Sequence, residues 1–243
     1  MKKILFPFLF SSLVLSPPSF SDLLDELLKK GVITVGTTAD YKPFTYKDGD
    51  HYAGTDIDVA RKMAKALGVK LNIVETHWST MIAGLNQRKF DIAMGGITRT
   101  LKRQLSVEQT QGYQTFGKCF LAAKGRGAEF DRLEKANKPS VKVGVNIGGT
   151  NEIFAKAHLP NATLVFYKNN LDVPEAVASG VVDIMITESP EARYYEEYNP
   201  KLSAVRADTP FTHSEFGYLV PKGEYRLLNV VNFMIEEETT FTR

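Results

Sequence analysis

Three short stretches of the chain combine residue types that can hold or protonate an anionic molecule. In the first, Val143 to Glu152, an apolar run meets Gly148-Gly149 and then Thr150, which opens a helix. Such a turn leaves the first backbone N–H groups without intrahelical partners at the positive end of the helix dipole, a seat suited to a carboxylate. Asn151 follows, and Glu152 puts a carboxyl just inside that seat. Either burial keeps Glu152 protonated as a general acid, or it caps its own helix. The second stretch, Gly95-Gly96-Ile97-Thr98-Arg99-Thr100, is followed by Lys102 and Arg103. Gly96 allows close backbone approach and Thr98 supplies a hydroxyl. Arg99 or Arg103 offers a planar fork that fits a carboxylate, although a lone Arg is more often a surface charge. In the third, Thr38 to Tyr46, three aromatics crowd around Pro43; Phe44 and Tyr46 read as core, while Tyr41 and Lys42 read as facing ligand or solvent. Trp78, the sole tryptophan, reads equally as core or as the flat wall of a pocket.

Alternating strands and helices position these stretches. Ser21 to Lys30, opening on a cap residue, predicts a short helix stopped by Gly31, and Val32 to Thr37 a strand. Asp56 to Gly68 carries Val59, Ala60, Met63, Ala64 and Leu67 on one stripe, as an amphipathic helix does. Strands follow at 69–75 and 90–94, with a helix between them capped by Ser79; the segment from Gly95 to Thr100 reads as a loop. After a break at Lys124-Gly-Arg-Gly127 the rhythm restarts: strands at 141–145, 163–167 and 183–187 alternate with helices at 151–158, 174–179 and 190–198. A strand at 216–220 and a helix at 225–236 complete the pattern. Strands alternating with helices at this spacing predict α/β lobes with mostly parallel sheets, which bind ligands beyond the carboxyl ends of their strands.

The composition, 43% hydrophobic and 24% charged, is that of an ordinary folded domain. Met1-Lys2-Lys3, a short apolar run to Leu15 and small residues near Ser21 read as a cleavable secretory signal over residues 1–21. The run is shorter than the ~20 residues that span a bilayer. Removing it takes away two lysines and no acid, leaving a neutral chain with no basic stripe, so nucleic acid is not an expected partner. Cys119, the single cysteine, reads as a buried small hydrophobe, and the four histidines lack metal-ligand spacing, so neither a metal nor a cofactor is expected.

Gly36-Thr-Thr-Ala-Asp-Tyr-Lys-Pro-Phe44, Gly54-Thr-Asp-Ile-Asp58, Phe90-Asp-Ile-Ala-Met-Gly-Gly-Ile-Thr98 and Asp183-Ile-Met-Ile-Thr-Glu188 resemble the family 3 periplasmic solute-binding proteins, with their type 2 periplasmic-binding fold. Asp40 to Tyr46, Asn146 to Glu152, Pro160-Asn-Ala-Thr163 and Glu188 to Arg193 are similar, more closely, to the cyclohexadienyl dehydratases within that family, exported enzymes acting on prephenate and arogenate. The resemblance implies two closing lobes, residues 22–118 with 212–243 and residues 119–211, hinged near 118–121 and 208–216. It implies that Arg103 grips a ligand carboxylate beside Thr98, and that Glu188 stands where amino-acid binders usually carry an Asp for the α-amino group. Tyr41, Lys42, Trp78, Gly96, Gly149, Thr150 and Asn151 would complete the site around a small carboxylate, with Glu152 as the acid. The alternative is a transport receptor that binds an amino acid for an ABC permease and does no chemistry. Relatives usually continue past the Tyr225 helix with further helical sequence, so incomplete coverage of the first lobe is expected.

Overall fold

The computed structural model describes residues 22–241, with side chains through residue 237; the signal segment expected over residues 1–21 lies outside the described residues. In chain order the first part contains α1 (Leu23–Lys30), β1 (Val32–Thr37), β2 (Asp40–Tyr41), β3 (Thr45–Asp48), β4 (His51–Ala53), α2 (Thr55–Ala66), β5 (Lys70–Glu75), α3 (Met81–Asn86), β6 (Ile92–Thr98), α4 (Leu101–Gln104), β7 (Glu108–Gln109) and β8 (Gln114–Phe116). Then come β9 (Lys118–Ala123), α5 (Leu133–Ala136), β10 (Lys142–Asn146), α6 (Thr150–His158), β11 (Thr163–Tyr167), α7 (Asp172–Ala178), β12 (Ile184–Glu188), α8 (Ser189–Tyr198), β13 (Leu202–Val205), β14 (Ser214–Val220) and α9 (Tyr225–Phe241).

The strands form two sheets of the same design. One runs β5-β1-β6-β14-β7, with β8 also on β14; the other runs β11-β10-β12-β9-β13. In each, three parallel strands are joined by an antiparallel strand that the crossing chain supplies: β14 beside β6, and β9 beside β12. A small β2-β3-β4 sheet adjoins the first. Each sheet buries its own core. Ile33, Val35, Met63, Ile92 and Met94 pack with Leu27, Tyr218, Leu227 and Val231 in the first lobe. In the second, β9 sends Phe120 and Ala122 to one face and Cys119 and Leu121 to the other, following the period of two of a strand covered on both sides. Cys119 is a fully buried free thiol, as its apolar surroundings predict.

Between the lobes the two crossing segments run side by side. Phe116 pairs with Ser214, and Phe211 N–H donates to the Lys118 carbonyl at 2.7 Å. A Cβ on Gly117 would stand 1.9 Å from the Thr212 carbonyl oxygen, so only glycine admits this approach.

Two local expectations change. The Gly95–Thr100 loop is mostly strand: β6 continues fully buried through Gly95 and Gly96 to Thr98, and Thr100 then caps α4 by accepting from Arg103 N–H at 3.1 Å. Ser79 does not cap α3, whose capping position falls at Thr80 without a side-chain bond. An unexpected strand, β13, is added, because Leu202–Val205 is too short to give a periodic signal.

Candidate functional site

The carboxyl ends of β1, β6, β10 and β12 face a cleft between the lobes, as open parallel sheets arrange their ligand sites. Tyr41, Trp78, Gly96 and Thr98 from one side and Asn146, Gly149, Thr150, Asn151 and Glu188 from the other line a cavity of about 10 Å³. The lobes touch across it: Tyr41 Oη donates to Glu188 Oε2, and the Thr98 and Thr150 hydroxyls lie 3.2 Å apart.

Glu188 is the centre of this arrangement. It is the last residue of β12, it is 3% exposed, and its partners come from three elements. Lys118 Nζ, 5% exposed at the start of β9, donates to Glu188 Oε1 and also to Thr150 Oγ1 at 2.8 Å and Asn151 Oδ1 at 2.5 Å. Thr150 Oγ1 donates to Glu188 Oε1 at 3.3 Å, and Asn151 Nδ2 to Oε2 at 3.4 Å. A buried charged pair survives only with such satisfaction of its remaining donors and acceptors. Burial pulls the Lys118 ammonium below the ordinary lysine value while the Glu188 charge opposes the shift. Burial, reinforced by Glu188, holds the Tyr41 hydroxyl well above the usual phenol range, so it remains a proton-bearing donor.

Arg103 stands behind Thr98 and donates to the Thr98 carbonyl at 2.5 Å. Burial lowers its guanidinium to about 10, opposed by Glu188, so it remains a cation at neutral pH. Arg99 instead pairs with Glu215, away from the cavity lining. Trp78 is part wall and part anchor, since its Nε1–H donates to Asp40 Oδ1 at 3.1 Å. The floor under Gly96 is held by the buried Asp56, which accepts from Gly96 N–H at 2.7 Å, Tyr113 Oη at 2.8 Å and Tyr218 Oη at 3.2 Å.

Three expected site residues lie outside the cavity lining: Arg103, behind Thr98, and also Glu152 and Lys42. Glu152 is not in the cavity lining: its Oε2 accepts from Gly148 N–H at 2.7 Å and its Oε1 from Lys156 Nζ at 2.5 Å, one helical turn on. The side chain is 21% exposed and its Lys156 partner 59%. The Gly148 amide bond, then Lys156, hold its carboxyl below the usual range, so the burial needed to keep it protonated is not met, and Glu152 instead braces the turn just ahead of α6, whose capping position, Gly149, has no side-chain bond. Lys42 sends its ammonium over the Tyr46 and Tyr194 rings, 5.0 and 5.7 Å from their centroids, rather than into the cavity. Conversely, sequence reasoning placed Lys118 only in a hinge. A lysine inside the apolar run Phe116 to Ala123 was the available signal, because a buried cation demands a buried partner. Asn146, which accepts from Asn151 Nδ2 at 3.2 Å, also went unnoticed. Among the described residues, no three His, Cys, Asp or Glu side chains group as metal ligands.

The family model of the bacterial extracellular solute-binding proteins, family 3, matches residues 33–240. A cyclohexadienyl dehydratase of Pseudomonas aeruginosa is 39% identical over 202 residues, 83% of this chain and 75% of the relative. The crystal structure of an ancestral amino acid-binding protein, described as a precursor of cyclohexadienyl dehydratase, is 41% identical and superposes with a TM-score of 0.83 over 89% of this chain and 93% of that one. That of an ancestral cyclohexadienyl dehydratase is 48% identical with a TM-score of 0.56, covering 90% and 92%.

Proposed function

We propose that this chain, which belongs to the bacterial extracellular solute-binding proteins of family 3, is an exported, periplasmic cyclohexadienyl dehydratase that uses the closed cleft to turn prephenate into phenylpyruvate and arogenate into phenylalanine. The observation that carries this reading is Glu188: a buried carboxyl at a strand end, paired with Lys118 and met by Tyr41 from the opposite lobe. In the reaction the ring C–O bond and the bond to the ring carboxylate both break. The electron pair of the departing carbon dioxide enters the ring, which becomes aromatic, and the hydroxide leaves as water once it takes a proton. Aromatisation supplies the driving force, so the protein must hold the anion and deliver that proton. Glu188 delivers it to the leaving oxygen. The carboxylate, which accepts from Lys118, Tyr41, Thr150 and Asn151, first takes that proton from Lys118, whose burial loosens its hold on it, and a proton from water then restores the ammonium. Arg103 and the Thr98 and Thr150 hydroxyls hold carboxylate, and Tyr41 and Trp78 wall the ring.

A second reading is favoured by the 41% identical ancestral amino acid-binding protein: a receptor in which Glu188 accepts an α-ammonium group and no bond is broken, with an ABC permease as its partner. Purified protein mixed with prephenate separates the two. Phenylpyruvate absorbance growing with enzyme concentration is the expected result. Absence of turnover, together with stabilisation by an amino acid of about 2.7 kcal/mol at 100 times its Kd, would replace the dehydratase with the receptor.

A further inference from the structure

A second set of bonds crosses the cleft outside the cavity. Asn170, fully buried in the loop between β11 and α7, sends its backbone N–H to Asp40 Oδ2 at 3.1 Å and its Nδ2 to the Asp40 carbonyl at 3.2 Å. The same Nδ2 donates to Glu191 Oε1 at 2.6 Å, and the other Glu191 oxygen accepts from Thr187 Oγ1. Glu191 is itself fully buried on α8. The carbonyl partner fixes which end of the Asn170 amide is nitrogen, because a carbonyl can only accept. A continuous chain therefore runs Thr187–Glu191–Asn170 in the second lobe to Asp40 in the first, and from Asp40 Oδ1 to the Trp78 indole.

We infer that Asn170 is the closure latch of this protein, a positioning residue anchored on Glu191 that grips Asp40 across the cleft and thereby sets Trp78 against the ligand cavity. The location separates it from the other cross-cleft hydrogen bonds described above. Tyr41 to Glu188 and Thr98 to Thr150 lie in the cavity lining, where an entering ligand replaces them. Asn170 lines neither that cavity nor the adjoining one of about 160 Å³, where Asp40 stands beside Trp78 and faces Lys168 of the other lobe. The chemistry also requires a donor at this point. Closure brings the carboxyls of Asp40 and Glu191 towards one another in a poorly solvated place, and burial raises both above the ordinary carboxylate range. The amide of Asn170 supplies neutral donors to both sides, which an aspartate could not. The latch acts before any ligand chemistry and does not depend on the dehydratase reading.

Trp78 is the sole tryptophan, so its fluorescence reports this device without a label. Acrylamide quenching would be measured on the ligand-free full chain as wild type, Asn170→Asp, Asp40→Ala and the double variant, beside solution X-ray scattering and thermal melting. Asn170→Asp is close to isosteric and keeps the backbone bond. The expected result is a quenching constant at least twice that of wild type and a larger radius of gyration in each single variant. The double variant should be no more quenched than either single one, because one contact has been removed twice. Equal quenching in wild type and Asn170→Asp would overturn the latch, and so would additive effects of the two substitutions. A scattering curve that stays at the wild-type radius while melting temperature falls would assign Asn170 to stability alone and overturn it equally.

Discussion

Two strand-to-helix junctions of the second sheet carry a glutamate at a helix start, and their fates differ. At the junction of β10 and α6, Glu152 turns back onto its own Gly148 amide and an exposed lysine one turn away. At the junction of β12 and α8, Glu188 is enclosed by Lys118, Asn151, Thr150 and, from the other lobe, Tyr41. The helix dipole is available to both. What differs is the cover: Glu152 faces solvent at the rim, whereas the first lobe closes over Glu188. A carboxyl's use in this fold is therefore set by what the opposite lobe places on it and not by the local turn.

The difference between the two junctions rests first on Lys118. Lys118→Met removes the cation from Glu188 and leaves a buried carboxyl with neutral donors only, which costs about 3–5 kcal/mol when it is ionised. A fall in melting temperature of about 6 °C or more, with loss of prephenate turnover, is expected. A melting curve within a degree of wild type would mean that Glu188 does not depend on its partner.

Asp56 gives a third, intermediate case, a buried carboxyl satisfied wholly within the first lobe. Burial raises it to about 6, against the ordinary 3.8. The folded state therefore binds more protons than the unfolded one between those values, and stability from this group falls as pH rises from about 4 to about 6, then levels. The change is on the order of 2–3 kcal/mol. Denaturant melts across that range should show the slope in wild type and lose it in Asp56→Asn. A wild-type slope of the opposite sign, removed by the same substitution, would contradict it.

Glu152→Gln is the smallest change. Its carboxyl sits at a solvent-facing helix end beside an exposed lysine, so about 1 kcal/mol or less of stability and less than a twofold change in kcat are expected. A loss of turnover here would restore the acid to the α6 junction.

Much of the site was legible in the sequence, for reasons that also mark where legibility stops. Gly96, Thr98, Gly149 and Thr150 stand at the ends of apolar runs, and strand ends converge in any parallel sheet. Tyr41 and Trp78 follow from aromatics placed just beyond such ends. The enclosure of Glu188 was not legible, because it depends on Tyr41 crossing a cleft from 147 residues away. The place of Lys42 over two rings depends likewise on Tyr194 from the other lobe. Periodicity gives the faces of an element, but it cannot say which lobe meets which face.

The central claim, that Glu188 is the proton donor of a closed cleft, is tested most directly by Glu188→Gln. Prephenate binding by calorimetry and phenylpyruvate formation would be measured on the same preparation. The account predicts binding within about tenfold of wild type and a fall in kcat of at least about 100-fold, the usual contribution of a positioned general acid. Turnover at the wild-type rate by Glu188→Gln would contradict it.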